Sequence, residues 1–290
     1  IEDGISTAQS FNSPQTMSFK TGDFIDCEGN GSGEWKDLKN STGAGTFDMV
    51  RGLRQSVNTY FAQLEKKVGL CETVRMAKKM GIPITEPDVS EGKPGSYIPS
   101  FTLGPIDVSP LDMAAAYATP ASGGEYCTPA PVAEIIDRHG KTIKKYKTDC
   151  KRVMSKETAA KVNAILVGLQ QPGGFGYNRG TGLDIPSAAK TGTTNEAKAV
   201  WYVGYTPEIS AASMIAGITK SGKPSQLAGI TLKGRIVNYN DAAGSALAGP
   251  QWKTAMGEIQ KDLTPARFDA TTLEYAKPAK DKKKKKDDDD

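Results

Sequence analysis

The apolar positions of the chain repeat at two periods, and the switches between them mark out its elements. From Ser56 to Val68 the residues Val57, Tyr60, Phe61, Leu64 and Val68 recur at helical spacing, and Gly69 ends the run. A second helical stripe carries Cys71, Val74, Ala77 and Met80, and Gly81 and Pro83 stop it. Ser109-Pro110-Leu111-Asp112 is a helix start, with Ser as N-cap, Pro at the first helical position and Asp in the first turn; the helix runs on through Met113 to Tyr117. Ser155 caps a helix with the stripe Val162, Ile165, Leu166 and Leu169, and Pro250 opens a last one with Trp252, Met256, Ile259 and Leu263. An earlier helix is expected to start at Thr46 as N-cap, with Asp48 in its first turn, and Ile1 to Ser6 reads as a helix end with Gly4 as its cap.

Period-2 alternation dominates elsewhere. Lys190 to Thr194 reads as a strand, Asn195 to Lys198 as a turn, and Ala199 to Tyr205 as a second strand; Thr206-Pro207 turns again, and Ser210 to Ile218 makes a third. The three form an antiparallel meander. Pro131 to Asp137 and Lys141 to Tyr146 read as a hairpin closed by Arg138-His139-Gly140. Residues 7–45 are polar and rich in Gly, Ser and Asn, an irregular subdomain with β-like pieces around Thr16 to Phe19. Pro172 to Gly182 is a glycine-rich loop leading into the Lys190 strand, and Gly222 to Ala248 is loop-like.

Composition narrows the function classes. The chain has 290 residues, room for one large domain or two small ones, and its 38% apolar content still supplies a core. The net charge is +4, part of it from a lysine-rich tail, and no arginine-rich or aromatic-interleaved basic patch points to nucleic acid. There is no signal peptide and no apolar run long enough to span a membrane. The four cysteines, Cys27, Cys71, Cys127 and Cys150, include no Cys-x-x-Cys, and His139, the only histidine, reads as a turn residue. A metal site is therefore not expected, no cofactor is called for, and a Ser/His/Asp triad has no base. Two disulfides formed in an oxidising compartment fit better than four reduced thiols. Three connectivities are open; Cys127 and Cys150 bracket the hairpin and could face each other, which leaves Cys27 with Cys71. From Lys277 the chain is a lysine run and then an aspartate run, a composition expected to be disordered.

The candidate chemistry centres on Lys190-Thr191-Gly192. On a strand, Thr191 and Thr193 share one face while Lys190 and Gly192 share the other. Three residues alone are a weak signal. They gain weight from Ser56-Val57-Asn58 at a helix start, from the stretch Gly104-Pro105 to Tyr117, from Thr193-Thr194, and from Trp201 to Pro207. In this order and spacing, from about Ile1 to Leu263, the chain closely resembles the transpeptidase domain of class A penicillin-binding proteins. The positions of Cys127 and Cys150 resemble those of actinobacterial members. The resemblance implies an α+β fold of the penicillin-binding protein and serine β-lactamase type: a five-stranded antiparallel sheet between helical layers, with a helical subdomain carrying Ser56. The chain then divides into a transpeptidase domain over residues 1–265, lacking its N-terminal portion, and a C-terminal low-complexity tail over residues 266–290 that is expected to be disordered.

That family uses a nucleophile motif Ser-x-x-Lys, a Ser-x-Asn and a Lys-Thr-Gly. The last two match Ser56/Asn58 and Lys190/Thr191/Gly192. The first is expected a short way upstream of Ile1, so that the sequence begins in mid-fold and, lacking one buried helix, is poorly stable alone. Two internal matches are rejected: Ser90-Glu91-Gly92-Lys93 lies in a Gly/Pro loop, and in Ser187-Ala188-Ala189-Lys190 the Ser and Lys face opposite sides of a strand.

By resemblance, Ser56 relays a proton, and Asn58 orients the motif lysine and the substrate amide. Lys190 supplies positive potential. Thr191 and Thr193 bind the terminal carboxylate of a D-Ala-D-Ala stem peptide or of a β-lactam, Thr194 is a further substrate-binding residue, the amide beside Thr193 helps form the oxyanion hole, and Gly192 lets the ligand approach. Plain helix capping is the alternative role for Ser56 and Asn58, and Trp201 and Tyr205 are expected in the core. Ala199 stands where a more polar residue is expected, and Pro120 where an aromatic is common. Implied partners are the stem peptide, its lipid-linked precursor, β-lactams, and cell-wall synthesis or division proteins. The parent would carry a glycosyltransferase domain and a single-pass anchor at the extracytoplasmic face of the membrane. A D,D-carboxypeptidase is the same chemistry with water as acceptor; a non-catalytic module that binds stem peptides or a partner protein is the alternative.

Overall fold

The computed structural model describes residues 1–86, 95–232 and 234–276. At its start the polar segment is tied down by two short ladders: β1 (Ser10–Ser13) and β2 (Thr16–Phe19) pair antiparallel with β4 (Gly45–Asp48) and β3 (Trp35–Lys39) respectively. Phe19, Phe24 and Leu38 turn inward from it. Three helices follow: α1 (Met49–Arg54), α2 (Asn58–Val68) and α3 (Leu70–Lys79). The cap of α1 is Asp48, whose carboxylate accepts the Arg51 N–H at 2.9 Å, and not the expected Thr46. The β1–β4 ladder runs from Thr46 opposite Asn12 to Asp48 opposite Ser10, so the helix starts only after Asp48, the last ladder residue, which caps it. Gly4 ends a turn at φ 78°, its N–H on the Ile1 carbonyl at 2.9 Å. Ala62, Leu70 and Val74 of α2 and α3 close over Phe19, Phe24, Leu38, Tyr97 and Phe101, and the Cys27–Cys71 disulfide joins the polar segment to α3.

Helix α4 (Pro110–Ala121) starts as its sequence dictates, with the Ser109 hydroxyl accepting the Asp112 N–H at 3.1 Å. The chain then leaves the body through β5 (Glu125–Cys127), projects as the exposed hairpin β6 (Glu134–Ile136) and β7 (Thr142–Lys145), and returns along β8 (Cys150–Arg152). The β5–β8 register sets Cys127 opposite Cys150, and the two form the second disulfide. His139 sits in the hairpin turn, its N–H on the Asp137 carboxylate at 2.8 Å. Ser155 caps α5 (Lys156–Val167) through the Thr158 N–H at 3.1 Å.

The central sheet is β9 (Ala188–Thr193), β10 (Ala199–Tyr205), β11 (Ser210–Ile218) and β12 (Pro224–Ser225), in the order β12-β11-β10-β9, all antiparallel. The meander is as read. The described residues give four strands where five were expected. The fourth is a two-residue return held by only two register pairs, and Pro224 brings no N–H with which to extend it. A further short hairpin, β13 (Thr231–Leu232) and β14 (Arg235–Ile236), precedes α6 (Gly249–Ile259).

Helices cover both faces of the sheet. On one, Tyr205 meets Tyr117 of α4 at 6.2 Å between ring centroids, and its hydroxyl bonds Asn163 Oδ1 of α5 at 2.7 Å. On the other, Trp252 of α6 lies 5.1 Å from the Tyr202 ring and donates its indole N–H to the Gly204 carbonyl at 3.2 Å. A Cβ on Gly204 would stand 2.6 Å from that indole, so only glycine lets α6 seat there. Lys190 shares the α4/α5 face with Val203, and Thr191 shares the α6 face with Tyr202.

Candidate active site

Ser56 stands in the three-residue link between α1 and α2 with φ at 50°. A serine is rarely held in that region. It is held here from both sides: its own N–H bonds the Leu53 carbonyl at 3.1 Å, and the next N–H, of Val57, bonds that of Gly52 at 2.9 Å. Val57 is extended and fully buried among Phe47, Met49, Val50, Tyr60 and Ile165. It occupies the cap position of α2 without a side-chain acceptor. The Ser56 hydroxyl therefore does not cap the helix. It accepts a hydrogen bond from the Lys190 ammonium across a sequence distance of 134 residues.

Lys190 arrives from β9, the edge strand of the sheet. Its ammonium also donates to the Thr191 carbonyl at 2.8 Å. Removal from water disfavours its charge and pushes its pKa down to about 8. Among the described residues no strand pairs with the outer edge of β9. The Thr194 N–H points inward, to the Ala199 carbonyl at 3.0 Å. By alternation Lys190 and Gly192 also face β10, while the N–H and C=O groups of Thr191 and Thr193 face outward.

The other sequence candidates fall as follows. Thr193 is exposed at the end of the edge, and its hydroxyl accepts the Gly244 N–H at 3.1 Å. Thr191 and Gly192 are half-buried beside it. The Thr194 hydroxyl closes the β9–β10 turn instead, accepting the Ala199 N–H at 2.8 Å. Asn58, in the first turn of α2, donates its side-chain amide to the Lys39 carbonyl at 2.8 Å. Ser187 donates to Gln170, away from Lys190. Ser90 and Lys93 lie outside the described residues. Gly244 was missed, because its segment reads only as a loop. Among the described residues no cluster of His, Cys, Asp or Glu could hold a metal ion.

Chemically, this is an open strand edge with outward amides and hydroxyls, flanked by an ammonium that touches a serine hydroxyl on a constrained link. Because Lys190 donates to the Ser56 oxygen, the serine proton is free to point elsewhere. An antiparallel sheet between helices is consistent with the penicillin-binding protein and β-lactamase-like fold class. The chain belongs to the penicillin binding protein transpeptidase domain family, whose model matches residues 16–239. It is 32% identical over 179 residues to a penicillin-binding protein 1A of Clostridium botulinum, covering 61% of this chain and 21% of that protein. With the penicillin-binding protein 1A of Mycobacterium tuberculosis it is 29% identical over 246 residues, 79% of this chain and 28% of that protein. The chain thus spans only about a quarter of the curated relatives it matches. Among solved structures, the penicillin-binding protein PonA1 of Mycobacterium tuberculosis superposes with a TM-score of 0.72 at 26% identity, covering 96% of this chain and 70% of that one. The PonA1 complex with penicillin V gives a TM-score of 0.68 at 28% identity, with coverage of 93% and 68%.

Proposed function

We propose that this chain is the acyl-transfer part of a peptidoglycan-cross-linking D,D-transpeptidase, and that its parent forms an acyl-serine with stem peptides and with β-lactams. The observation that carries the reading is the contact between the Lys190 ammonium and the Ser56 hydroxyl beside the open edge of β9. In this reading a stem peptide lies along that edge as an added strand. Its terminal carboxylate meets the hydroxyls of Thr191 and Thr193, and the outward amide of Thr193 helps hold the carbonyl oxygen as it becomes negative. A serine hydroxyl attacks that carbonyl, its proton passing to a lysine of lowered pKa. Ser56 gives its proton to the leaving amine and takes up the one released by the attacking serine, with the Lys190 ammonium supplying positive potential beside it, so no histidine is required. Asn58 holds the substrate amide.

The attacking serine belongs to a Ser-x-x-Lys segment that precedes Ile1 in the parent. The 290-residue chain alone then forms no stable penicilloyl adduct. The parent adds a glycosyltransferase domain acting on a lipid-linked precursor, and a membrane anchor that sets this domain on the extracytoplasmic side, where disulfides persist. Peptide-mapped mass spectrometry of the intact parent after benzylpenicillin tests the assignment. An adduct on a serine shortly before Ile1 supports it. An adduct within residues 1–290 moves the nucleophile, and none anywhere leaves a module that only binds. An acceptor amine that competes with water for the acyl group separates transpeptidase from carboxypeptidase action.

A further inference from the structure

The segment that leads into α6 reaches back over the edge strand and ends on Thr193. Asn238 opens it with a tight turn: its side-chain amide bonds the Asp241 carboxylate at 2.6 Å, and its Oδ1 accepts the Asp241 N–H at 3.0 Å. Arg179 holds the same carboxylate from outside at 3.5 Å. Three residues on, Gly244 lies directly against the β9–β10 ladder. A Cβ there would stand 2.3 Å from the Trp201 carbonyl oxygen and 2.7 Å from that of Gly192. Both neighbours are backbone in a paired ladder and cannot swing aside. Only glycine can bring its N–H this close, and that N–H is given to the Thr193 hydroxyl at 3.1 Å.

The direction of this bond has a chemical consequence. A threonine hydroxyl has one proton and two lone pairs. With a lone pair already occupied by the Gly244 N–H, the proton turns away from the segment, toward whatever lies beyond the hydroxyl. A carboxylate is an acceptor only, so a hydroxyl whose proton is already aimed outward meets it without reorientation. We infer that Gly244 is a positioning residue for the carboxylate end of the acyl donor, acting through the Thr193 hydroxyl. This rests on the reading of Thr193 as a carboxylate-binding residue.

The test compares two acyl donors on the intact parent protein: benzylpenicillin, which carries a carboxylate, and its methyl ester, which does not. Gly244→Ala is expected to slow acylation by benzylpenicillin about tenfold or more, the scale of a lost hydrogen bond to a charged group, and to leave the methyl ester within about twofold. Thr193→Ala should show the same selectivity, and the double variant should lose no more than either alone. Should Gly244→Ala fail to fold, Asn238→Ala loosens the turn without adding an atom at the ladder and should give a smaller loss with the same donor selectivity. Equal slowing of both donors, no slowing of either, or additive losses from Gly244 and Thr193 would each overturn the inference. If the unsubstituted parent gives no penicilloyl adduct at all, it is the functional reading that has failed.

Discussion

At the scale of single residues, the site depends on two side chains held against their own preferences. Ser56 sits at φ 50°, a conformation that costs a non-glycine residue about 1 kcal/mol or more. Two substitutions separate that strain from the hydroxyl's contact. Ser56→Ala and Ser56→Gly both remove the oxygen that Lys190 bonds, but only glycine relaxes the backbone. Ser56→Gly should therefore be the more stable of the two by about 1 kcal/mol in urea unfolding. Equal stability would mean that the link is not strained.

Lys190 is a cation taken out of water. Its folded pKa of about 8 lies below that of a free lysine, 10.5, so the unfolded chain binds more protons between these values. The penalty is complete below pH 8 and is relieved as the pH rises toward 10.5. Lys190→Met should be the more stable protein at pH 7 by up to about 3 kcal/mol, and the gap should narrow by pH 10. A gap independent of pH would sink this account. The motif words Ser56/Asn58 and Lys190/Thr191/Gly192 were legible in the sequence. Their meeting was not, since only the fold brings partners 134 residues apart together, and nothing in a serine codon announces a left-handed backbone.

At the scale of elements, legibility followed locality. α4 and α5 carry their start signals in their own residues, and both caps stand where the sequence put them. The β9–β10–β11 meander was readable because its turns are short and local. The β1–β4 ladder joins residues more than thirty apart and left no local mark; it also displaced the cap of α1 from Thr46 to Asp48. Glu65 was likewise invisible: on the helical pattern of α2 it looks like any exposed acid, yet it is 3% exposed. One oxygen accepts the Thr102 N–H at 3.1 Å, while the other has no hydrogen-bond partner among the described residues. Burial pushes this carboxyl up to about 8 from 4.5. A raised pKa on an acid means stability that is complete below pH 4.5 and declines as the pH climbs to 8. Glu65→Gln keeps the acceptor and cannot ionise. It should match the parent sequence near pH 4.5 and exceed it at pH 8, the gap growing by about 1.4 kcal/mol per pH unit at most. Parallel stability curves would refute this.

The two disulfides should behave differently for the same reason of context. Cys27–Cys71 ties the polar segment to α3, whose Leu70 and Val74 are core, so replacing both cysteines by serine should lower global stability by about 3 kcal/mol. Cys127–Cys150 closes a hairpin whose β6 and β7 strands bury nothing. Its removal should show mainly as faster proteolysis between residues 128 and 149, with little change in the urea midpoint.

At the scale of the whole molecule, residues 266–276 act as a strap. The ring of Phe268 lies edge-on to Tyr205 at 5.7 Å. Leu273 joins the cluster of Phe47, Val50 and Val57 behind the Ser56 link, with Ile1 and Ile5. Thr7 clamps the backbone of Glu274 from both sides, donating to its carbonyl at 2.8 Å and accepting its N–H at 2.9 Å. The Ala276 N–H reaches Asp48 Oδ2 at 3.2 Å, the same carboxylate that caps α1 through its other oxygen. The strap thus fastens the chain's first residues, the start of α1 and the back of the sheet to one another. Its sequence carries no periodic signal, so composition alone grouped residues 266–276 with the charged run that follows.

Two partly buried apolar side chains and these hydrogen bonds tie residues 266–276 to the body and offset the entropy of ordering them. A chain ended after Ala276 should therefore unfold at the same urea concentration as the full 290 residues. A chain ended after residue 265 should unfold earlier, with a smaller dependence on urea, because less surface is left to expose. If both truncations kept the full-length midpoint, residues 266–276 would lie on the body without holding it. If the longer one also fell, the charged residues after 276 would have a part in the fold that their composition does not suggest.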